Sequence, residues 1–254
     1  MKRFAVQMAV TGLILAIAGT AQAGIYAASA STDNTATVSG SWAVSHYKSD
    51  GSYSGTNCGS DWKDRAENNN PIDLSTTYSC ANGSASSSIQ VNATPKIIIA
   101  SDAEVHDVLM PSGHWAMGYS QGGANWLLSG QTGTITVTCD WSYALDLTQA
   151  ADDPNSEAYA KIYVAFWGPS GNLLLEEKDG FTTASPYLVK TIDLKGAGSS
   201  DSAGGSTSWD VSVTNGVYYS FWGQGDAMAF TIPEPATVSL LVLGGLALIR
   251  RRSK

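Results

Sequence analysis

Apolar and polar residues alternate through GTITVTCDWSYALDL. The odd positions Ile135, Val137, Cys139, Trp141, Tyr143, Leu145 and Leu147 are apolar or aromatic. The even positions Thr134, Thr136, Thr138, Asp140, Ser142 and Asp146 are polar, with only Ala144 neutral. A period of two predicts a long strand with one face buried, bent or broken midway. AYAKIYVAFWG repeats the pattern, with Ala158, Ala160, Ile162, Val164 and Phe166 on one face and Tyr159, Lys161, Tyr163 and Trp167 on the other. In SWDVSVTNGVYYSFWG, two alternating runs flank Asn215-Gly216, the preferred pair for a two-residue hairpin turn. Further strands are predicted over Thr35 to Tyr47, Ser87 to Ala100, His114 to Gln121, Asn172 to Lys178 and Tyr187 to Leu194. No stretch has the 3.6-residue period of an amphipathic helix. The pattern therefore predicts an all-β domain of eight to ten antiparallel strands in two packed sheets, a jelly-roll-like β-sandwich. Ser49 to Asn70 and the low-complexity KGAGSSDSAGGSTS (Lys195 to Ser208) read as loops.

The two ends depart from this pattern. Residues 1–23 have a basic start (Lys2, Arg3), an apolar stretch and Ala21-Gln22-Ala23. That is the layout of a secretory signal peptide, with cleavage expected after Ala23 to leave Gly24, and it implies the Sec export machinery as a partner. The domain then covers residues 24–232. Residues 233–254, PEPATVSLLVLGGLALIRRRSK, join a Pro-Glu-Pro triplet to an apolar run and an arginine cluster. As a helix the run from Ala236 to Ile249 would be about 21 Å long, short against the ~30 Å hydrocarbon core. Arg250, Arg251 and Arg252 would stay cytoplasmic as a stop, with the domain outside the inner membrane.

Pro233, Glu234 and Pro235, the apolar stretch with Gly244-Gly245, and Arg250-Arg251-Arg252 at the extreme C-terminus together resemble the PEP-CTERM sorting signal. The resemblance covers only these last residues. It implies a Gram-negative, exopolysaccharide-producing bacterium and recognition of the triplet by an exosortase, a membrane cysteine peptidase-transpeptidase. The protein would pass through an inner-membrane intermediate to the cell surface or extracellular matrix. The two prolines suit a peptidase substrate, because they hold the segment extended and non-helical.

Charge and cysteines sharpen the reading. Between Gly24 and Ile232 there are eight basic and twenty-one acidic side chains, a charge of −13. Such a body repels nucleic acid and anionic headgroups. Export permits disulfides. A Cys58–Cys80 bridge would staple a polar, turn-rich segment, and Cys139 reads as a buried apolar residue. An odd cysteine can instead pair between chains.

The chemistry is sparse, and the domain reads as non-enzymatic: structural or adhesive, with exopolysaccharide as a partner. Asp102, Glu104, His106, Asp107 and His114 lie close together; on a strand Asp102, Glu104 and His106 would share one face that could hold a metal, and, with no specific ligand spacing, a solvated polar edge is the competing reading. Asp152, Asp153, Asn155 and Glu157 offer hard oxygen ligands suited to calcium, and a plain polar turn uses the same residue types. No other cofactor is indicated. The alternative is a carbohydrate-binding module. Trp115, Trp126, Trp167 and Trp222 lie near glycine-rich turns and are its candidate stacking platform; filling a sandwich core is the competing use of the same rings. A glycoside hydrolase-like enzyme needs two acids about 5 to 9.5 Å apart across a cleft, and the sequence singles out no such pair.

Overall fold

The computed structural model describes residues 26–63, 71–92, 94–108, 114–128, 132–150 and 156–231. The signal-peptide residues Ala21, Ala23 and Gly24 lie outside this set, as do the tail residues Pro233, Glu234, Pro235, Arg250, Arg251 and Arg252.

The described residues are all β, with no helix, and form two antiparallel sheets. The strands are β1 (Tyr26–Val38), β2 (Trp42–Thr56), β3 (Gly59–Lys63), β4 (Ile72–Cys80), β5 (Gly83–Val91), β6 (Lys96–Val108) and β7 (His114–Leu128). They continue with β8 (Gly133–Asp146), β9 (Glu157–Trp167), β10 (Thr182–Ala184), β11 (Tyr187–Lys195), β12 (Ser200–Val213) and β13 (Tyr218–Thr231). One sheet has the order β12-β8-β1-β6-β5-β4 and the other β10-β11-β9-β13-β7-β2-β3. They pack face to face, β5 and β6 against β7, β1 and β6 against β13, and β2 against β4 and β5.

The thirteen strands exceed the eight to ten expected, for local reasons. The run Thr35 to Tyr47 divides at Gly40, whose φ of 110° favours glycine. The run Ser87 to Ala100 divides in the turn before Lys96, which contains Pro95. Asn172 to Lys178 is not a strand and makes only isolated bridges, Trp167 to Leu173 and Lys178 to Phe181. The expected loop from Lys195 to Ser208 is largely β12, paired with β8 along its full length. Glycine and serine are weak strand formers alone. Here Gly205 makes room for Trp141: a Cβ on it would lie 2.9 Å from the indole Cζ2. Much of Ser49 to Asn70 is likewise strand, in β2 and β3.

Asn215-Gly216 forms a turn, with φ of 75° at Gly216, but not a hairpin. Its flanking strands belong to different sheets. The turn is a corner tied to the end of β7, where Gly216 N–H donates to the Leu128 carbonyl and Leu128 N–H donates to the Val217 carbonyl.

The interior grades from large to small side chains. One end holds Trp126, Phe166, Phe221, Ile97, Ile99, Val137 and Leu128. The other is mostly alanine, including Ala28, Ala103, Ala116, Ala160 and Ala227. Between them sits a buried hydroxyl cluster in which Ser52 Oγ lies 2.6 Å from Ser87 Oγ, 2.9 Å from Ser120 Oγ and 3.1 Å from Thr76 Oγ1. Mutual hydrogen bonding offsets the cost of burying these hydroxyls. At the small-residue end the sheets approach closely; a Cβ on Gly118 of β7 would come within 2.7 Å of the Asp102 carbonyl oxygen of β6.

Cys58, in the turn between β2 and β3, forms a disulfide with Cys80, the last residue of β4. The bond crosses from one sheet to the other, with Cα atoms 6.4 Å apart. Cys139 is a buried free thiol facing the core, and burial pushes it up to about 12.

Candidate functional site

The two sheets present opposite surface chemistries. The outer face of the six-stranded sheet is made of short polar side chains: Ser29, Ser31, Asp33 and Thr35 on β1, Ser84, Ser86 and Ser88 on β5, and Asp102, Glu104 and His106 on β6. Ser86 donates to Asp102 at 3.1 Å. Asp33 is raised from its ordinary value by partial burial and then by repulsion from Asp102. His114 lies on the other sheet and points inward. No group of three metal-ligating side chains occurs among the described residues.

The outer face of the seven-stranded sheet is aromatic. Alternation sends Tyr159, Lys161, Tyr163 and Trp167 of β9 to this side, with Trp222, Gln224, Asp226 and Met228 of β13 and Trp115, Met117, Tyr119 and Gln121 of β7. Register aligns them in rows across the sheet. One runs Lys161, Asp226, Tyr119, Tyr53, Trp62; the next runs Tyr163, Gln224, Gln121.

Four rings cluster at one end of this face. Trp222 lies 5.3 Å from Tyr187 with planes 23° apart, 6.3 Å from Trp167 and 6.4 Å from Tyr163, and Tyr163 meets Tyr187 edge-on at 5.1 Å. Trp167 is fixed by its indole N–H, which donates to the Pro186 carbonyl at 2.7 Å. Beside it opens a cleft of about 800 Å³ lined by Trp167, Pro169, Pro186, Asn125, Tyr218 and Ser220, among others. Ser220 donates to Asn125 Oδ1 at 2.6 Å. Tyr218 is 53% exposed, so the cleft lining combines the rings of Trp167 and Tyr218 with the polar Asn125 and Ser220.

Asp226 is the chemical centre of the face. It points to the outer side yet is only 6% exposed, because its neighbours cover it. Gln224 Nε2 donates to it at 2.9 Å, and Tyr163 donates as well. Burial raises its carboxyl to about 6 despite those bonds and nearby Lys161. Burial, reinforced by Asp226, also raises Tyr163, and it carries Tyr159 to about 12. Both phenols stay protonated donors near neutral pH.

The sequence candidates separate on this map. Trp167 and Trp222 come together. Trp115 lies on the same face, paired with Phe230 rather than with the cluster. Trp126 must be removed from the platform: it is 0% exposed, faces the interior and packs against Phe221 at 5.3 Å and Trp42 at 6.4 Å. Its position on β7 gives it the core-facing parity of Ala124 and Leu128. Of the calcium candidates, Asp152, Asp153 and Asn155 lie outside the described residues, and Glu157 is engaged by Lys195 at 3.5 Å. Tyr163, Tyr187, Gln224 and Asp226 carry much of the site and were not singled out by sequence. The polar-side parity of Tyr159, Lys161 and Tyr163 was the available signal.

No family model, curated protein or solved structure matches the chain. Fold and site define its class: a two-sheet antiparallel β-sandwich-like protein with one hydroxyl-rich and one aromatic outer face.

Proposed function

We propose that the protein is an exported, exosortase-processed component of the cell surface or exopolysaccharide matrix, whose non-enzymatic domain adheres to neutral polysaccharide. The observation that carries the adhesive part is the Tyr163–Trp167–Tyr187–Trp222 cluster beside the open cleft. Aromatic faces match the apolar C–H faces of pyranose rings, while Asn125, Ser220 and Gln224 are suited to the hydroxyls around them. The pairings of β1 with β8, β2 with β7 and β4 with β5 support a jelly-roll-like winding, from which the direct pairing of β1 with β6 departs. The sorting part rests on residues 1–23 and on the Pro-Glu-Pro, apolar and arginine order of residues 233–254.

Two measurements test the halves separately. In an exosortase-positive cell the mature protein should lack the tail, and in an exosortase-null cell it should keep it in the membrane fraction. A full-length tail in both ends the sorting reading. Purified domain should be retained on an insoluble neutral polysaccharide, and Trp222→Ala should weaken retention by at least about tenfold, the order expected for a lost ring contact. Absence of retention on every neutral polysaccharide rejects the adhesive reading, and release of reducing sugar replaces it with the hydrolase reading.

A further inference from the structure

The aromatic face has a second cluster at its opposite side. Trp62 of β3 and Tyr119 of β7 lie 6.1 Å apart with planes only 14° from parallel, and Tyr53 of β2 sits 5.9 Å from Trp62. Trp62 lies flat across β2 because Gly51 has no side chain: a Cβ there would be 2.8 Å from the indole Cζ2. The six-membered part of the indole sits against Gly51, and the residue is 46% exposed. The polar row of Gln224 and Gln121 runs between the two clusters, and Lys161 and Asp226 continue the row of the second cluster.

The strands of Tyr187 (β11) and Trp62 (β3) are five spacings apart, about 24 Å, and the Trp62 ring reaches back over β2 towards Tyr119. Trp222 and Asp226 are four residues apart on β13, so the path between the clusters is diagonal. No mono- or disaccharide covers that distance. Among the described side chains, charge on the face is largely paired. Lys161 stands beside Asp226, and Lys195 reaches Glu157 at 3.5 Å, with Asp193 left at the β11 side. A body of charge −13 thus presents a locally near-neutral strip, complementary to an uncharged polymer rather than to an acidic or strongly basic one.

We propose that this strip binds a linear β-1,4-linked neutral glycan as one extended chain, laid diagonally across the strands from the Trp222 cluster to Trp62. The proposal rests on the adhesive reading above and narrows it to a ligand class and a binding mode. Equatorial β-1,4 linkages make a straight ribbon with apolar C–H faces on both sides, so rings far apart on a sheet can each meet a pyranose of the same chain. A glycan with a coiled backbone cannot follow that path.

The test is calorimetry with the di-, tetra- and hexasaccharides of cellulose and of β-1,4-mannan. In at least one series the hexasaccharide should bind at least about tenfold tighter than the disaccharide. Trp62→Ala should abolish that gain and Trp62→Tyr should restore much of it. Affinity independent of length, an unaltered gain in Trp62→Ala, or no binding of either hexasaccharide overturns the proposal. Retention on other neutral polysaccharides in the preceding test would then show that the adhesive reading survives without it.

Discussion

Asp226→Asn should stabilise the protein by about 3 kcal/mol at pH 7 and by almost nothing near pH 4. Burial lifts this carboxyl from its ordinary 3.8 to about 6 in the folded protein. Below the unfolded value both states are protonated, and burial of the neutral acid carries no ionisation penalty. As pH rises toward 6 the unfolded chain releases its proton and the folded protein does not. Above 6 the folded protein carries a carboxylate that its surroundings disfavour. The stabilising contribution is thus full below about 4 and lost by the time pH passes about 6. At 1.36 kcal/mol per unit the loss is about 3 kcal/mol. Asparagine has no charge to lose and keeps an oxygen to accept from Gln224 Nε2. Melting temperatures across this range should show Asp226→Asn ahead by roughly 6 to 12 °C at pH 7, with the gap closing toward pH 4. A gap that does not change with pH would contradict the burial. Such a carboxylate lowers stability at neutral pH rather than adding to it.

Removing the Cys58–Cys80 disulfide should cost a similar amount, about 3 kcal/mol. The bond closes a separation of 22 residues, and chain entropy for a loop of that length gives this magnitude. It also ties the β2–β3 turn to β4 across the two sheets, where β3 otherwise pairs only with β2. Paired Cys58→Ser and Cys80→Ser substitutions, or reduction, should lower the urea midpoint and steepen the slope, because the unfolded chain without the bond exposes more surface. Equal midpoints in oxidised and reduced protein would show that the bond adds nothing. Cys139 should not interfere, since its thiol is 0% exposed and burial keeps it protonated. Thiol titration should find it only after unfolding.

The strands that alternate large apolar and polar residues were legible in the sequence. β8 and β9 announce themselves because Ile135, Val137, Ile162 and Val164 have no other way to reach a core. The first half of β12 did not, because Ser202, Gly204 and Gly205 carry no hydrophobic signal and take strand form through pairing with β8 and the ring of Trp141, whereas its second half alternates Trp209, Val211 and Val213. Asn215-Gly216 was read as a local hairpin, and only packing could reveal that it turns a corner between sheets. The candidate site divides the same way. Trp167 and Trp222 stood out as aromatics near glycines, and so did Trp126, which the interior claims. Asp226 looks in sequence like any acid between small residues. Its burial arises from Tyr163 and Gln224 on two strands, one of them distant in the chain. Trp62 fell in a stretch read as loop, and its exposed ring depends on Gly51 beneath it.

The most direct test of the aromatic face as the working surface is the indole N–H region of a proton–nitrogen correlation spectrum, recorded while a soluble neutral polysaccharide is added. All eight tryptophans lie within the described residues. The expected result is that Trp62, Trp167 and Trp222 shift together while the buried Trp126 and Trp209 stay in place. An unchanged spectrum across neutral polysaccharides, or shifts confined to Trp141 beside β12, would contradict it.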